Sequence, residues 1–211
     1  MRLLIAIPSH DMIHAEFVKC LMKMLDHLRM AGITAHAEIK NGTLVYYARD
    51  RLAQMAVNEG WDWTLWLDSD MVFPETLAED LLDNEVDMVC GNYISRHNPY
   101  LSVLFRRLEP PERMEASGIA PFKVAGCGFA AVLVKTDVMR TVMQQNAGQC
   151  FVPTPNLSED LAFCRRVWQS GHEIWCDPTA RVGHIGQIAI WPEDGEWLRS
   201  EIQNIDKVNL N

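Results

Sequence analysis

The chain has 211 residues, of which 48% are hydrophobic and 22% are charged. This balance is ordinary for a globular protein and excludes general disorder, and the length favours one domain with a sizeable core. The net charge of −9 argues against a surface built to coat nucleic acid or an anionic membrane, although a local basic groove stays compatible with it.

The opening of the chain and its cysteines bear on the cellular compartment. The apolar run Leu3–Ile7 ends at Pro8 and is too short for an export signal, and no run is long enough for a membrane span. The six cysteines form no Cys-x-x-Cys pair, so a structural zinc site is not expected. Several of them lie in apolar runs, as buried free thiols do. We therefore expect a reduced, cytoplasmic protein.

Short apolar runs alternate with amphipathic stretches through the first half of the chain. Strands are predicted at Leu3–Ile7, Ile33–Ile39, Trp63–Leu67 and Val86–Cys90, with helices between them near 17–28, 44–56 and 74–82. This alternation is typical of an α/β fold with a mainly parallel sheet.

The second half is less regular. Residues 96–121 are predicted to form a long loop over the active face, with one strand at Ser102–Arg107. Further strands are predicted at Ala130–Val134, Ile174–Cys176 and Ala180–His184. A helix is expected from a Ser158 cap through Trp168, and another in the tail from Pro192.

Asp68-Ser69-Asp70 directly follows the most strand-like segment of the chain. Ligands of parallel α/β sheets bind beyond the carboxyl ends of the strands, which is where these carboxylates should lie. Carboxylate oxygens suit Mg²⁺ or Mn²⁺, and such an ion can neutralise a bound diphosphate. A pair of solvated turn acids is the alternative at this point.

His184 stands in Gly183-His184-Ile185-Gly186, after a predicted strand. The flanking glycines leave room for a ligand to approach, and imidazole is a common metal ligand. A structural histidine is the alternative.

Glu159 and Asp160 lie at a predicted helix start. A carboxylate there can act as a general base for a hydroxyl nucleophile, or it can simply complement the helix dipole. Because adjacent helical residues point about 100° apart, one acid can face a cleft while the other faces elsewhere.

Six segments in a fixed order carry a resemblance to a known family. They are Ile5–Asp11, Ala48–Arg51, Trp66–Met71, Gly126–Phe129, Ser158–Cys164 and Gly183-His184. Over residues 1–190 the chain resembles GT-A-fold glycosyltransferases and is similar to the family-two type. The resemblance implies a Rossmann-like, mainly parallel sheet flanked by helices in one domain over 1–211. It would comprise a nucleotide-sugar-binding half at 1–95, an acceptor and catalytic half at 96–190, and a helical tail at 191–211.

The resemblance also implies roles for single residues. Donor-binding roles fall on Pro8, Ser9, Asp11, Arg49, Asp50, Asp68, Ser69, Gly126 and Gly128. Asp50 stands where the family often has asparagine, and the loop that holds Gly126 and Gly128 would line the donor-sugar and acceptor pocket. Asp70 and His184 would bind Mn²⁺ or Mg²⁺, and Asp160 would be the base of an inverting transfer.

The activity so implied is transfer of a sugar from a nucleotide-diphosphate sugar, expected to be a UDP-sugar, to an acceptor hydroxyl. The acceptor stays open between a saccharide, a protein and a modified nucleobase in DNA. A nucleotidyltransferase of related fold is one alternative, although the loop after the first strand has neither glycine nor Lys/Arg. A non-catalytic sugar-binding module is the other.

Four arginines, Arg96, Arg106, Arg107 and Arg113, lie in the segment predicted to cover the active face. They could contact an anionic acceptor such as a phosphate backbone. The favoured interpretation is a solvated loop whose charge is balanced by Glu109, Glu112 and Glu115.

Overall fold

The structure is a computed structural model that describes residues 1–96, 99–186, 189–193 and 195. The helices are α1 (Ala15–Met30), α2 (Val45–Asn58), α3 (Leu77–Leu82), α4 (Thr136–Gln145) and α5 (Glu159–Gln169). The strands are β1 (Arg2–Pro8), β2 (Thr34–Lys40), β3 (Trp63–Leu67), β4 (Met71–Val72), β5 (Met88–Asn92), β6 (Leu104–Leu108), β7 (Pro111–Met114), β8 (Phe122–Val124), β9 (Gly126–Cys127), β10 (Ala131–Lys135), β11 (Ile174–Arg181), β12 (Gly183–Ile185) and β13 (Ala189–Ile190).

A seven-stranded sheet in the order β2-β1-β3-β10-β5-β11-β8 forms the centre of the molecule. Five strands run in the same direction, and β10 and β8 run against them. Three-stranded sheets β13-β12-β4 and β7-β6-β9 lie beside it. The predicted α/β class with a mainly parallel sheet is confirmed.

Both faces of the large sheet are buried because its inner strands are apolar at nearly every position. In β1, Leu3, Ile5 and Ile7 face a core with α1 and α3. Leu4 and Ala6 face the opposite core, to which α2, α4 and α5 contribute. This period of two explains why β1 is an unbroken apolar run, as expected for a strand covered on both sides.

Two predictions for the second half of the chain need correction. The segment 96–121 is not a long loop, since β6 and β7 pair antiparallel across the turn at 109–110. Strand β11 continues through Arg181, so the predicted strands at 174–176 and 180–184 divide differently between β11 and β12. The predicted helix in the C-terminal tail lies almost entirely outside the described residues. No helix in the described part of the chain is both long and apolar enough to cross a bilayer.

Candidate active site

A cleft of about 460 Å³ opens at the carboxyl ends of β1 and β3. We call it the donor cleft, after the role that is predicted for several of its residues. It is lined by Pro8, Ser9, His10, Asp11, Met12, His14, Thr43, Val45, Asp68, Ser69, Asp70 and Arg96. Six residues predicted to bind the donor or metal therefore line a single cavity, at the sheet edge where ligands of such folds bind.

Hydrogen bonds fix the two loops that form this cleft. The Ser9 hydroxyl is buried and donates to the Met12 carbonyl at 3.1 Å, and the Ser69 hydroxyl donates to the same oxygen at 3.4 Å. The backbone N–H of His14 donates to the Ser69 carbonyl at 3.3 Å. The loop after β1 and the Asp68–Asp70 loop are therefore held together before any ligand binds.

Strand pairing brings His184 to Asp70. Strand β12 pairs antiparallel with β4, which places His184 opposite Met71, and the Ile185 N–H donates to the Asp70 carbonyl at 2.7 Å. The His184 Nε2 atom lies 3.4 Å from Asp70 Oδ2. Gly183 makes this pairing possible, because a Cβ atom there would lie 2.7 Å from a Val72 methyl. That glycine thus accommodates β4, and not a ligand as the sequence suggested.

The other ring nitrogen of His184 determines what Nε2 can do. Nδ1 lies 3.1 Å from the Ile94 carbonyl, which can only accept, so Nδ1 carries a hydrogen. In the neutral ring Nε2 then presents its lone pair to the Asp70 carboxylate. Two acceptors that face each other repel, and a cation between or beside them relieves that repulsion.

This donor set fits a divalent cation that is shared with a substrate. Among the described residues no group of three or more His, Cys, Asp or Glu side chains is placed to hold a metal. Mg²⁺ and similar ions commonly take one or two protein ligands together with water and substrate phosphates. One carboxylate and one imidazole nitrogen at the edge of a large cleft match that arrangement.

Arg96 is a cleft residue whose place beside Asp70 the sequence did not reveal. Its guanidinium forms an ion pair with Asp70 Oδ2. Burial raises the pKa of Asp70, but the hydrogen bond and charge that His184 provides when its ring is protonated, together with the charge of Arg96, outweigh burial and lower the pKa. Asp70 is therefore a carboxylate at neutral pH.

Arg49 forms a buried centre next to the donor cleft. It lies on α2 and is 2% exposed. Its Nη2 is 3.0 Å from Asp68 Oδ1, and its Nη1 is 3.0 Å from Glu159 Oε1 and also contacts Asp160. The resemblance implies that Arg49 lies near the nucleotide. In the structure its guanidinium forms ion pairs with these three carboxylates.

Three carboxylates around one guanidinium leave an excess of negative charge, and the pKa of Asp160 is raised. Burial raises the pKa of Asp160 to about 7, the charges of Glu159 and Asp68 add to the rise, and Arg49 opposes it. Glu159 and Asp160 both contact the same nitrogen of Arg49.

Asp160 differs from Glu159 in facing a second cavity of about 520 Å³. We call it the acceptor cleft, after the role that the resemblance implies for the loop with Gly128. Its walls are Val103, Phe105, Pro111, Arg113, Gly128, Ser158, Asp160 and Leu161. The Asp160 side chain is 22% exposed. A titratable carboxylate in a mostly apolar cleft is the usual setting for acid–base chemistry.

The two glycines predicted to line the pocket have different surroundings. Gly128 lines the acceptor cleft, and a Cβ atom there would lie 2.4 Å from the Tyr93 hydroxyl oxygen, which accepts the Ala130 N–H at 3.1 Å. Gly126 lines neither cleft, and a Cβ atom there would lie 2.7 Å from Leu108 and 3.3 Å from Cys164. Its smallness serves packing between β6 and α5.

Asp50 is a buried residue that stabilises the fold through hydrogen bonds to the backbone. It is 5% exposed, and its Oδ1 accepts the backbone N–H groups of Cys150 and Phe151 at 2.7 and 2.8 Å. It lines neither the donor nor the acceptor cleft, so its predicted donor contact has no counterpart in the geometry.

Replacing Asp50 with Ala should lower the free energy of unfolding by about 2–3 kcal/mol, because two buried N–H groups would lose a charged acceptor. Affinity for a nucleotide should not change in the folded variant. Urea unfolding and calorimetric titration with UDP check the two parts. A stable variant that binds UDP poorly would instead support the predicted contact between Asp50 and the donor.

The four arginines noted in the sequence do not form one basic surface. Arg106 and Arg107 pair with Glu112 at 3.4 and 3.0 Å, as the balanced-loop interpretation expected. Glu109 pairs with Arg165. Arg113 donates to the Ser102 carbonyl and lies 4.8 Å from the centre of the Phe105 ring, at the wall of the acceptor cleft.

No protein-family model and no curated protein matches the chain. Among solved structures, A197 from STIV is similar with a TM-score of 0.59 and 19% identity, over 92% of this chain and 91% of that one. A nucleoside-diphosphate-sugar pyrophosphorylase from Vibrio cholerae RC9 has a TM-score of 0.50 and 10% identity, over 94% and 99%. A Drosophila β1,4-galactosyltransferase 7 variant, in complex with manganese, UDP-Gal and xylobiose, has a TM-score of 0.46 and 14% identity, over 88% and 71%. At these identities the likeness concerns the fold alone, and it agrees with the predicted α/β class.

Proposed function

We propose that the chain is a metal-dependent glycosyltransferase that moves a sugar from a nucleotide-diphosphate sugar to an acceptor hydroxyl with inversion. One observation carries the proposal. Asp70 and His184 meet at the donor cleft, and Asp160 faces an adjoining cleft while sharing Arg49 with Asp68 of the first. A two-substrate transfer needs this arrangement, with a site for a diphosphate beside a base that faces the incoming hydroxyl.

Each part of the site has a chemical task in this reaction. The loop with Pro8, Ser9 and Asp11 would bind the nucleoside, and Asp68 with Ser69 would orient the ribose or donor sugar. Asp70 and His184 would hold Mn²⁺ or Mg²⁺, which when bound supplies positive charge for the diphosphate that leaves. Asp160 would accept the proton of the attacking hydroxyl from the acceptor cleft.

The division of labour between the halves of the chain follows from these roles. Residues 1–95 would form the donor half and residues 96–190 the acceptor and catalytic half, with Arg49 joining them. A nucleotidyltransferase is less well supported, because the loop after β1 has no lysine or arginine to hold a triphosphate. Among the described lining residues of the donor cleft, Arg96 is the one arginine or lysine.

Replacing Asp70 with Asn should abolish the metal-dependent part of donor binding. Loss of a group that hydrogen-bonds to a metal ligand already lowers metal affinity by roughly 10–100-fold, so loss of the ligand itself should lower it by at least about 100-fold. Calorimetric titration of UDP with and without Mn²⁺ measures the effect. Asp26→Asn, an exposed carboxylate on α1, is the matched control and should bind like the parent protein.

If a folded Asp70→Asn variant kept the Mn²⁺-dependent UDP affinity of the parent, Asp70 would not be a metal ligand. If the parent protein bound UDP equally well with and without Mn²⁺, the proposal that donor binding depends on a metal would be contradicted.

Transfer should depend on pH through Asp160. The carboxyl group must be ionised to accept a proton, and its pKa is raised to about 7. We therefore expect kcat/KM to rise about tenfold per pH unit below about 7 and to level off above it. A pH–rate profile between about 5 and 9 with saturating Mn²⁺ checks this, and a profile that falls across that range would contradict the assignment.

The substrates are proposed at the level of their class. We propose a UDP-sugar as donor, and a saccharide, a protein or a modified nucleobase in DNA remains the range of acceptors. We also propose a reducing, cytoplasmic setting, which five buried free thiols support.

A further inference from the structure

The Asp70 carboxylate has two cationic or potentially cationic neighbours in the structure. Its Oδ2 atom contacts a guanidinium nitrogen of Arg96 and lies 3.4 Å from Nε2 of His184. The side chain of Asp70 is 18% exposed, so this ion pair is partly shielded from water. Arg96 thus occupies the Asp70 oxygen that faces His184.

A divalent ion that binds alone between His184 and this oxygen must displace the guanidinium. The displaced Arg96 loses the Asp70 carboxylate as partner while it still lies at the wall of the donor cleft, and the cleft gains no compensating negative charge. Giving up an ion pair that is partly shielded from water costs free energy. Metal binding without a second ligand should therefore be weak.

A diphosphate changes this balance. It brings negative charge into the same cleft, and guanidinium groups bind phosphate oxygens well, commonly through two parallel hydrogen bonds. Arg96 can then exchange the Asp70 carboxylate for a phosphate while the metal takes its place at Asp70. Each ligand removes the obstacle to the other.

We propose that Arg96 is a built-in competitor for the metal at Asp70, and that it makes the protein bind a divalent cation and a nucleoside diphosphate together. This inference rests on the proposed function, since it uses the Asp70–His184 metal site. Coupling of this kind is reciprocal, so the diphosphate strengthens metal binding by the same factor as the metal strengthens diphosphate binding.

The test is a titration of Mn²⁺ into the protein with and without UDP, followed by electron paramagnetic resonance of unbound Mn²⁺ and corrected with a protein-free Mn²⁺–UDP titration. Three proteins are compared: the parent, Arg96→Gln and Arg107→Gln. The last removes the same charge from the surface hairpin, where Arg107 pairs with Glu112.

We expect UDP to raise the Mn²⁺ affinity of the parent and of Arg107→Gln by at least about tenfold, within the usual range of coupling between sites. Arg96→Gln should bind Mn²⁺ alone at least about tenfold more tightly than the parent, and UDP should then add little. Equal or weaker Mn²⁺ binding by Arg96→Gln, with coupling intact, would overturn the role of Arg96 and leave the metal site standing. Absence of Mn²⁺ binding in all three proteins, with and without UDP, would overturn both.

Discussion

Replacing Asp160 with Asn should lower the turnover of sugar transfer by roughly 10²–10⁴-fold, the usual range for loss of a general base. The amide cannot accept the proton of the acceptor hydroxyl, and that proton moves only in the transition state. The loss should therefore fall on kcat, while donor affinity stays close to that of the parent. Single-turnover transfer and donor titration measure the two quantities separately.

Glu159→Gln is a matched control that the structure itself provides. Glu159 and Asp160 contact the same nitrogen of Arg49, but only Asp160 lines the acceptor cleft. Both variants thus lose one negative charge beside Arg49, but only Asp160→Asn loses the proposed base. If Glu159→Gln were inactive and Asp160→Asn nearly normal, the roles would be reversed, and if both were active the base would lie elsewhere.

Replacing Arg49 with Met should destabilise the folded protein strongly. It would leave Asp68, Glu159 and Asp160 close together without their shared cation. Breaking a buried ion pair costs about 3–5 kcal/mol, and the partial exposure of these carboxylates points to the lower end, about 3 kcal/mol at pH 8. Arg51→Met, an exposed change on the same helix, should stay within about 0.5 kcal/mol of the parent.

The deficit of Arg49→Met should depend on pH. The pKa of Asp160 in the folded protein is about 7, above the unfolded value of about 3.9. Folding therefore takes up a proton between these values, and stability falls as pH rises from about 4 to about 7. Without Arg49 the pKa rises further, so the variant loses most above pH 7 and less near pH 5. Urea unfolding at about pH 5 and pH 8 checks this, and an equal deficit at both would show that lost packing, and not charge, is responsible.

Much of the fold was predictable because it depends on local pattern. The apolar run of β1 and the helical spacing of α1 stand in the sequence as periodicities, and both elements lie where they were expected. The donor-cleft residues were predictable for the same reason, since the carboxyl ends of parallel strands meet at one edge. The prediction for the segment 96–121 was wrong because it missed the hairpin β6–β7 and the pairing of β6 with β9, which is a long-range contact.

The electrostatics of the site were not predictable from pattern. Arg49 gave no signal that three carboxylates from the end of β3 and the start of α5 would surround it, because those partners lie 19, 110 and 111 positions away. Arg96 was grouped with surface arginines by proximity in sequence, and only the fold places it on Asp70. Pairing of β4 with β12 brings His184 to Asp70, as the family resemblance implied but no local pattern required.

The most direct test of the proposed function is product analysis after the protein is incubated with a panel of nucleotide sugars, with and without Mn²⁺. Even without the natural acceptor, a glycosyltransferase that excludes water imperfectly should release nucleoside diphosphate and sugar slowly, and only when Mn²⁺ is present. We predict that outcome for at least one donor, with UDP-sugars first, and we predict its loss in Asp70→Asn. Formation of nucleoside triphosphate and sugar phosphate on addition of pyrophosphate would contradict the proposal in favour of a nucleotidyltransferase, and binding without any turnover would contradict it in favour of a sugar-binding module.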